Sequence, residues 1–142
     1  MTLMTSSAAG TPGSLATRSG YEPGTCNIGP AEIARRRMAG HVGVLATFVL
    51  LAVLAAIGAP PPARLLVGLP AAAAASGYLQ AWLRFCAGFG SRGVYNFGPL
   101  GSTEQVADAT ARRRDRARAR QIGLASLAVG IVVAAVAAVL PL

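Results

Sequence analysis

Three blocks of the chain, residues 42–59, 65–83 and 122–140, carry no charged side chain, and the arginines lie outside them. A helix rises about 1.5 Å per residue and a bilayer core is about 30 Å thick, so blocks of this length suit membrane spans. Inside lipid a backbone must satisfy its own polar groups, which favours helix for each block. The expected fold is an all-α membrane protein with three transmembrane helices. With 54% hydrophobic residues so unevenly placed, neither disorder nor an ordinary soluble domain fits the whole chain.

The arginines set an orientation. Arg35, Arg36 and Arg37 precede the first block, and Arg84, Arg92 and the run from Arg112 to Arg120 lie between the second and third. Only Arg64 falls in the connection after the first block, and no arginine follows the third. Positive-inside bias then puts the N-terminus and residues 84–121 in the cytoplasm, with the 60–64 turn and the C-terminal end outside. The implied location is the bacterial cytoplasmic (inner) membrane, in multi-pass form, with membrane lipid as the first partner. A net charge of +8 also permits nucleic-acid binding. These arginines border apolar blocks, where topology needs them, so no nucleic acid is expected.

Residues 1–20 are small, polar and aperiodic, and read as a flexible tail. In 21–41, a cytoplasmic motif and short helix, Pro23-Gly24 and Asn27 with Gly29 mark turns. Pro30 opens a helix to about Ala39, with Glu32 near its positive end. Gly40 leaves open a bend or a straight run into the first span. Pro60, Pro61 and Pro62 end that span. In 65–83, Pro70 is a possible kink, Gln80 is polar, and Tyr78 with Trp82 suit an interfacial belt. Residues 84–101 interleave glycine with Phe85, Phe89, Tyr95 and Phe97, a loop expected to lie on the membrane with its rings inserted. With the 21–41 motif it would form a structured cytoplasmic cap. Its glycines match neither the phosphate loop nor the dinucleotide fingerprint.

Residues 102–121 read as a basic cytoplasmic helix, started by Ser102 with Gln105 and running into the third span. Asp108 would pair with Arg112, and Asp115 with its arginine neighbours, along the surface. Small residues recur every fourth position at Ser126, Gly130, Ala134 and Ala138, and at Gly68, Ala72 and Ser76. Such stripes let helices approach closely and favour self-association or docking to a larger membrane complex.

Chemistry has few places to sit. Cys26 and Cys86, the two cysteines, both fall on the expected cytoplasmic side, where a lasting disulfide is disfavoured. With His41, and Glu32 or a partner's residue as a fourth ligand, they are candidate metal ligands or a thiol pair. CxxC, CxxCH and HExxH are missing. The spans hold no ionisable group for a proton path, the serines lack evident His/Asp partners, and no cofactor is implied beyond a possible metal.

The stretches YEPGTCNIGPAEIARRR and RFCAGFGSRGVYNFG resemble the pattern of small uncharacterised bacterial multi-spanning membrane proteins. That resemblance carries no named family, activity or functional residue. The expected function is a non-catalytic membrane accessory or scaffold protein, docking to itself or to a larger complex. The alternative is a thiol- or metal-dependent membrane redox or assembly factor using Cys26 and Cys86. A transport component is a third class, for which a polar crevice near Gln80 or the kink at Pro70 would be the sign.

Overall fold

The computed structural model describes residues 20–142, so the tail expected over 1–20 lies outside them except for Gly20. Helix α1 spans Pro30–Ala56, 27 residues without interruption at Gly40. The short helix and the first apolar block are thus one rod. Pro30 sits in its first turn, where a missing N–H costs nothing, and Glu32 follows near the positive helix end.

After the turn at Ile57–Pro60 the chain re-enters helix as α2 (Pro61–Arg64), one 3-10 turn (Leu65–Val67) and α3 (Gly68–Trp82). Pro70 occupies the third position of α3. Proline cannot donate to the Leu66 carbonyl and crowds it. The tighter pitch over Leu65–Val67, where the Gly68 N–H bonds back to Leu65, accommodates both effects. The irregularity expected at Pro70 is therefore a change of pitch upstream, and α3 itself is unbroken.

The short helix α4 (Ala87–Arg92) leads into β1 (Val94–Tyr95), which pairs antiparallel with β2 (Glu104–Gln105). Helix α5 spans Ala109–Val139, 31 residues. It begins at Ala109 rather than at Ser102. The Ser102 hydroxyl lies 2.9 Å from Asn96 Oδ1 and 2.8 Å from the Pro99 carbonyl, so it closes a loop instead of starting a helix. Asp108 takes the helix start, accepting the Ala111 N–H at 2.8 Å.

Helix α3 lies between α1 and α5, which scarcely touch each other. The contacts are close because side chains are missing from them. A Cβ on Gly77 would stand 2.5 Å from the Gly40 nitrogen and 2.8 Å from the Arg36 carbonyl oxygen. On the other flank a Cβ on Gly68 would stand 2.6 Å from the Gly130 oxygen and 2.8 Å from the Ala134 Cβ. The small residues expected to let helices approach thus join α3 to α5 within one chain. At the end of the helices remote from residues 20–29, Leu54, Ala59, Val67 and Ala137 pack together. There the buried Arg64 donates to the carbonyls of Ala59 (3.0 Å), Leu140 (2.8 Å) and Leu142 (2.7 Å). A cation at the negative end of α5 is favourable.

Helices α1 and α5 are long and apolar enough to cross a membrane, and only 11% and 22% of their most apolar windows is buried. Leu45, Phe48, Leu124 and Ile131 stand exposed, unlike the face of a soluble protein's core helix. Replacing Gly77 by valine should force α1 and α3 apart at a cost of about 1–3 kcal/mol. The readout is a lower thermal-unfolding midpoint in detergent. Gly123→Ala, whose added Cβ meets nothing within 4 Å, should not lower it.

Candidate functional site

The most polar buried region is a head built by residues 20–29, 84–108 and the first turns of α5, closed over the arginine-bearing end of α1 and the C-terminal end of α3. Asn27 is fully buried and joins two of these segments. Its main-chain N–H donates to the Arg84 carbonyl (3.1 Å), and its own carbonyl accepts the Asn96 N–H (3.0 Å). Its side chain donates to the Cys86 carbonyl (3.1 Å) and accepts the Cys86 N–H (2.7 Å). One residue further on, Ile28 forms a parallel bridge with Asn96, and the Gly29 N–H donates to the Asn96 carbonyl (2.8 Å).

Asn96 then fixes the loop that follows. Its Oδ1 accepts the Gly98 N–H at 2.8 Å, while Nδ2 donates to Pro99 (3.0 Å) and to Glu32 Oε1 (3.4 Å). Glu32 is 1% exposed, and its Oε2 stands 3.7 Å from Arg36 Nη2, one turn along α1. The same Nη2 donates to Cys86 Sγ at 2.9 Å. The Arg36 and Arg92 guanidiniums lie 5.9 and 5.5 Å from the Phe89 ring centre, a favourable cation–ring geometry.

A second clasp ties the N-terminal motif to α5. Asp115 accepts the Tyr21 hydroxyl and the Gly24 N–H, both at 2.7 Å, and Tyr21 stacks on Tyr95 with centroids 4.8 Å apart. Burial first, then the Asp115 carboxylate, pushes the Tyr21 phenol above its ordinary value. Asp115 is expected from its arginine neighbours to pair on the surface; instead its carboxylate is fully buried, held by Tyr21 and Gly24. Asp108 likewise starts α5, while Arg112 donates to the carbonyls of Val106 and Ala107. Phe85 and Phe89 are buried in the head rather than projecting from it.

Gln80 offers no polar crevice. Its amide donates to Ser76 and its Oε1 accepts the Ala87 N–H at 3.0 Å, which satisfies a donor in the first turn of α4.

The candidate ligands do not converge. Cys86 is buried against Ile28 and Phe89 beneath Arg36. Cys26 is half-buried, its thiol directed at the Ile28 carbonyl 3.9 Å away. His41 is exposed on α1, with Nδ1 2.6 Å from the Tyr78 hydroxyl across the α1–α3 contact. Glu32 lies nine positions from His41 on the same unbroken helix, about 13 Å at the usual rise. Both cysteines are free. Among the described residues no group of three or more His, Cys, Asp or Glu side chains is placed to hold a metal ion. Neither thiol is hydrogen-bonded to a histidine or carboxylate, the pairing that activates a nucleophile.

What the arrangement does is hold three distant segments together, and nearly every polar group in it faces another of its own. Among the described buried side-chain atoms, Glu32 Oε2, Arg36 Nε and Arg118 Nε lack a hydrogen bond, although Glu32 and Arg36 form an ion pair. Comparison with protein families, curated proteins and solved structures finds no match to this chain.

The sequence pointed to this region through its turn residues and glycines. It marks Asn27 only as a turn residue and Asp115 only as a surface partner of arginines, and does not mark Asn96, because their partners are remote in the chain. Asn27→Ala strands the buried N–H of Cys86, at about 1–3 kcal/mol, while the Cys86 carbonyl keeps the Gly90 N–H at 2.9 Å. Faster proteolysis within 84–108 is the expected result. Burial also raises the Cys26 thiol, against smaller opposing effects of the Ile28 hydrogen bond and Arg84. A raised value leaves less thiolate at neutral pH. The alkylation rate of Cys26 should therefore rise at higher pH than that of free cysteine, and a profile at or below free cysteine would contradict this environment.

Proposed function

We propose that the chain is a non-catalytic accessory or scaffold protein of the bacterial cytoplasmic (inner) membrane, docking to a second copy or to a larger membrane complex. In this reading α1, the helical run 61–82 and α5 are three spans. The head and the N-terminal side face the cytoplasm as a structured cap, and the turn bearing Arg64 faces outward. The arginine bias supports that orientation, because Arg35–Arg37, Arg84, Arg92 and the 112–120 run all belong to the head end. Arg64, at the other end, is engaged by three carbonyls.

One observation carries the non-catalytic reading. The buried polar residues of the head bond to the chain's own backbone and to one another, whereas the outward faces of α1 and α5 are apolar and uncovered. Polar groups so engaged build a scaffold, and apolar faces of that size meet lipid or another membrane protein. The alternative, a thiol- or metal-dependent membrane factor using Cys26 and Cys86, needs accessible sulfurs. It draws no support from a buried Cys86 or a Cys26 thiol pushed upward.

Two measurements test the proposal. The chain should stay with membranes through alkaline carbonate extraction, and release into the soluble fraction would remove the membrane reading. Light scattering in mild detergent should give a particle heavier than one chain, unchanged in Cys26→Ser. A single chain that also leaves mild-detergent extracts with no other membrane protein bound, or an assembly that needs the Cys26 thiol, would overturn the docking role.

A further inference from the structure

A furrow runs down the α1–α3 face. Where the head meets the helices a groove of about 730 Å³ opens, with Ile33, Arg37, Trp82 and Arg84 in its wall. A hollow of about 310 Å³ continues from it, sharing Arg37 and Trp82 and adding His41 and Tyr78. A third, of about 260 Å³, shares Tyr78 and is walled by apolar surface that includes Val44, Phe48, Ala71 and Ala75. Arg37, His41, Val44 and Phe48 follow one another at helical spacing along α1, and Trp82, Tyr78, Ala75 and Ala71 do the same along α3. Each set shares one helix face, so the three hollows are one furrow.

Its polarity changes along its length. Among the described residues neither the Arg37 nor the Arg84 guanidinium makes a hydrogen bond or ion pair, the one ion pair there being Glu32–Arg36. Trp82 is 80% exposed at the same level. The His41–Tyr78 pair forms a polar neck, and below it the wall is apolar. Arg84 also occupies a backbone position that favours glycine. Its φ is 53°, just past the end of α3, where the Phe85 N–H bonds to Gln80 (3.0 Å) and the Arg84 N–H to Ala81 (3.4 Å).

We propose that this furrow binds one anionic phospholipid, its phosphate held between Arg37 and Arg84 and an acyl chain lying in the apolar limb below Tyr78. The inference rests on the membrane reading above. Two unpaired guanidiniums are matched to a phosphodiester, which accepts several of their N–H groups at once. A free phosphate would leave the apolar limb empty. A zwitterionic lipid would bring its own ammonium against the arginines.

The test is native mass spectrometry of the detergent-solubilised chain with dioleoyl phosphatidylglycerol or dioleoyl phosphatidylcholine. One phosphatidylglycerol should be retained in preference to phosphatidylcholine. Arg37→Gln and Arg84→Gly should each weaken retention about fivefold, the scale of one basic residue at an anionic surface. Arg84→Gly relieves the backbone, so loss of lipid without loss of thermal stability separates binding from folding. Arg35→Gln, an exposed arginine outside the furrow, should keep the lipid. Equal retention of both lipids, an equal loss in Arg35→Gln, displacement by glycerol phosphate alone, or a second chain in place of lipid would each overturn the site. If the chain also fails to enter phosphatidylcholine vesicles, the membrane reading itself has failed. Entry without phosphatidylglycerol preference sinks only the site.

Discussion

The contact at Gly77 governs how the rest of the chain is arranged. Helices α1 and α3 meet there with no side chain between them, backbone against backbone at Arg36 and Gly40. At that separation the last turn of α3 carries Gln80, Arg84 and Cys86 to the level of Glu32 and Arg36 on α1. A wider crossing would leave the Arg36 guanidinium short of the Cys86 sulfur, and Asn27 short of the Cys86 backbone. The apolar helices therefore fix the spacing on which the polar head depends, through dispersion and close packing rather than through any directed bond.

The head in turn resolves a difficulty that α1 creates. A carboxylate as buried as Glu32 is costly unless paired, and an arginine one turn away with a partly donated asparagine offsets that cost only in part. Such a group gains specificity more than stability. The Asn96 side chain reaches Glu32 in one loop conformation, the one that Gly98, Pro99 and Ser102 close. Polar residues in the head thus select a single arrangement of segments that hydrophobic burial alone would leave loosely defined.

Much of this was readable from the chain. The apolar blocks, the proline stop at 60–62 and the small-residue spacing at Gly68 and Gly130 are local patterns, and they correspond to helices and contacts in the structure. What was not readable depends on partners far away. Ser102 has every local mark of a helix start, yet Asn96 and Pro99 engage its hydroxyl, and Asp108 takes the role. Asp115 sits among arginines in a run that looks solvated. Its burial follows from Tyr21 and Gly24, more than ninety positions earlier. Among the described residues no three of the candidate ligands come together: helical continuity through Gly40 carries His41 away from Glu32, and the turn into α4 buries Cys86.

The sequence distances within the head also bear on how the chain reaches its fold. Asn27 bonds to a residue 59 positions on, Glu32 to one 64 on, and Tyr21 to one 94 on. Closing loops of that size before the helices pack would cost entropy that a few hydrogen bonds cannot return. The head is complete only with α5 beside α3, because Tyr21 and Gly24 bond to Asp115 on α5. Closure of the head would then mark a fully assembled molecule.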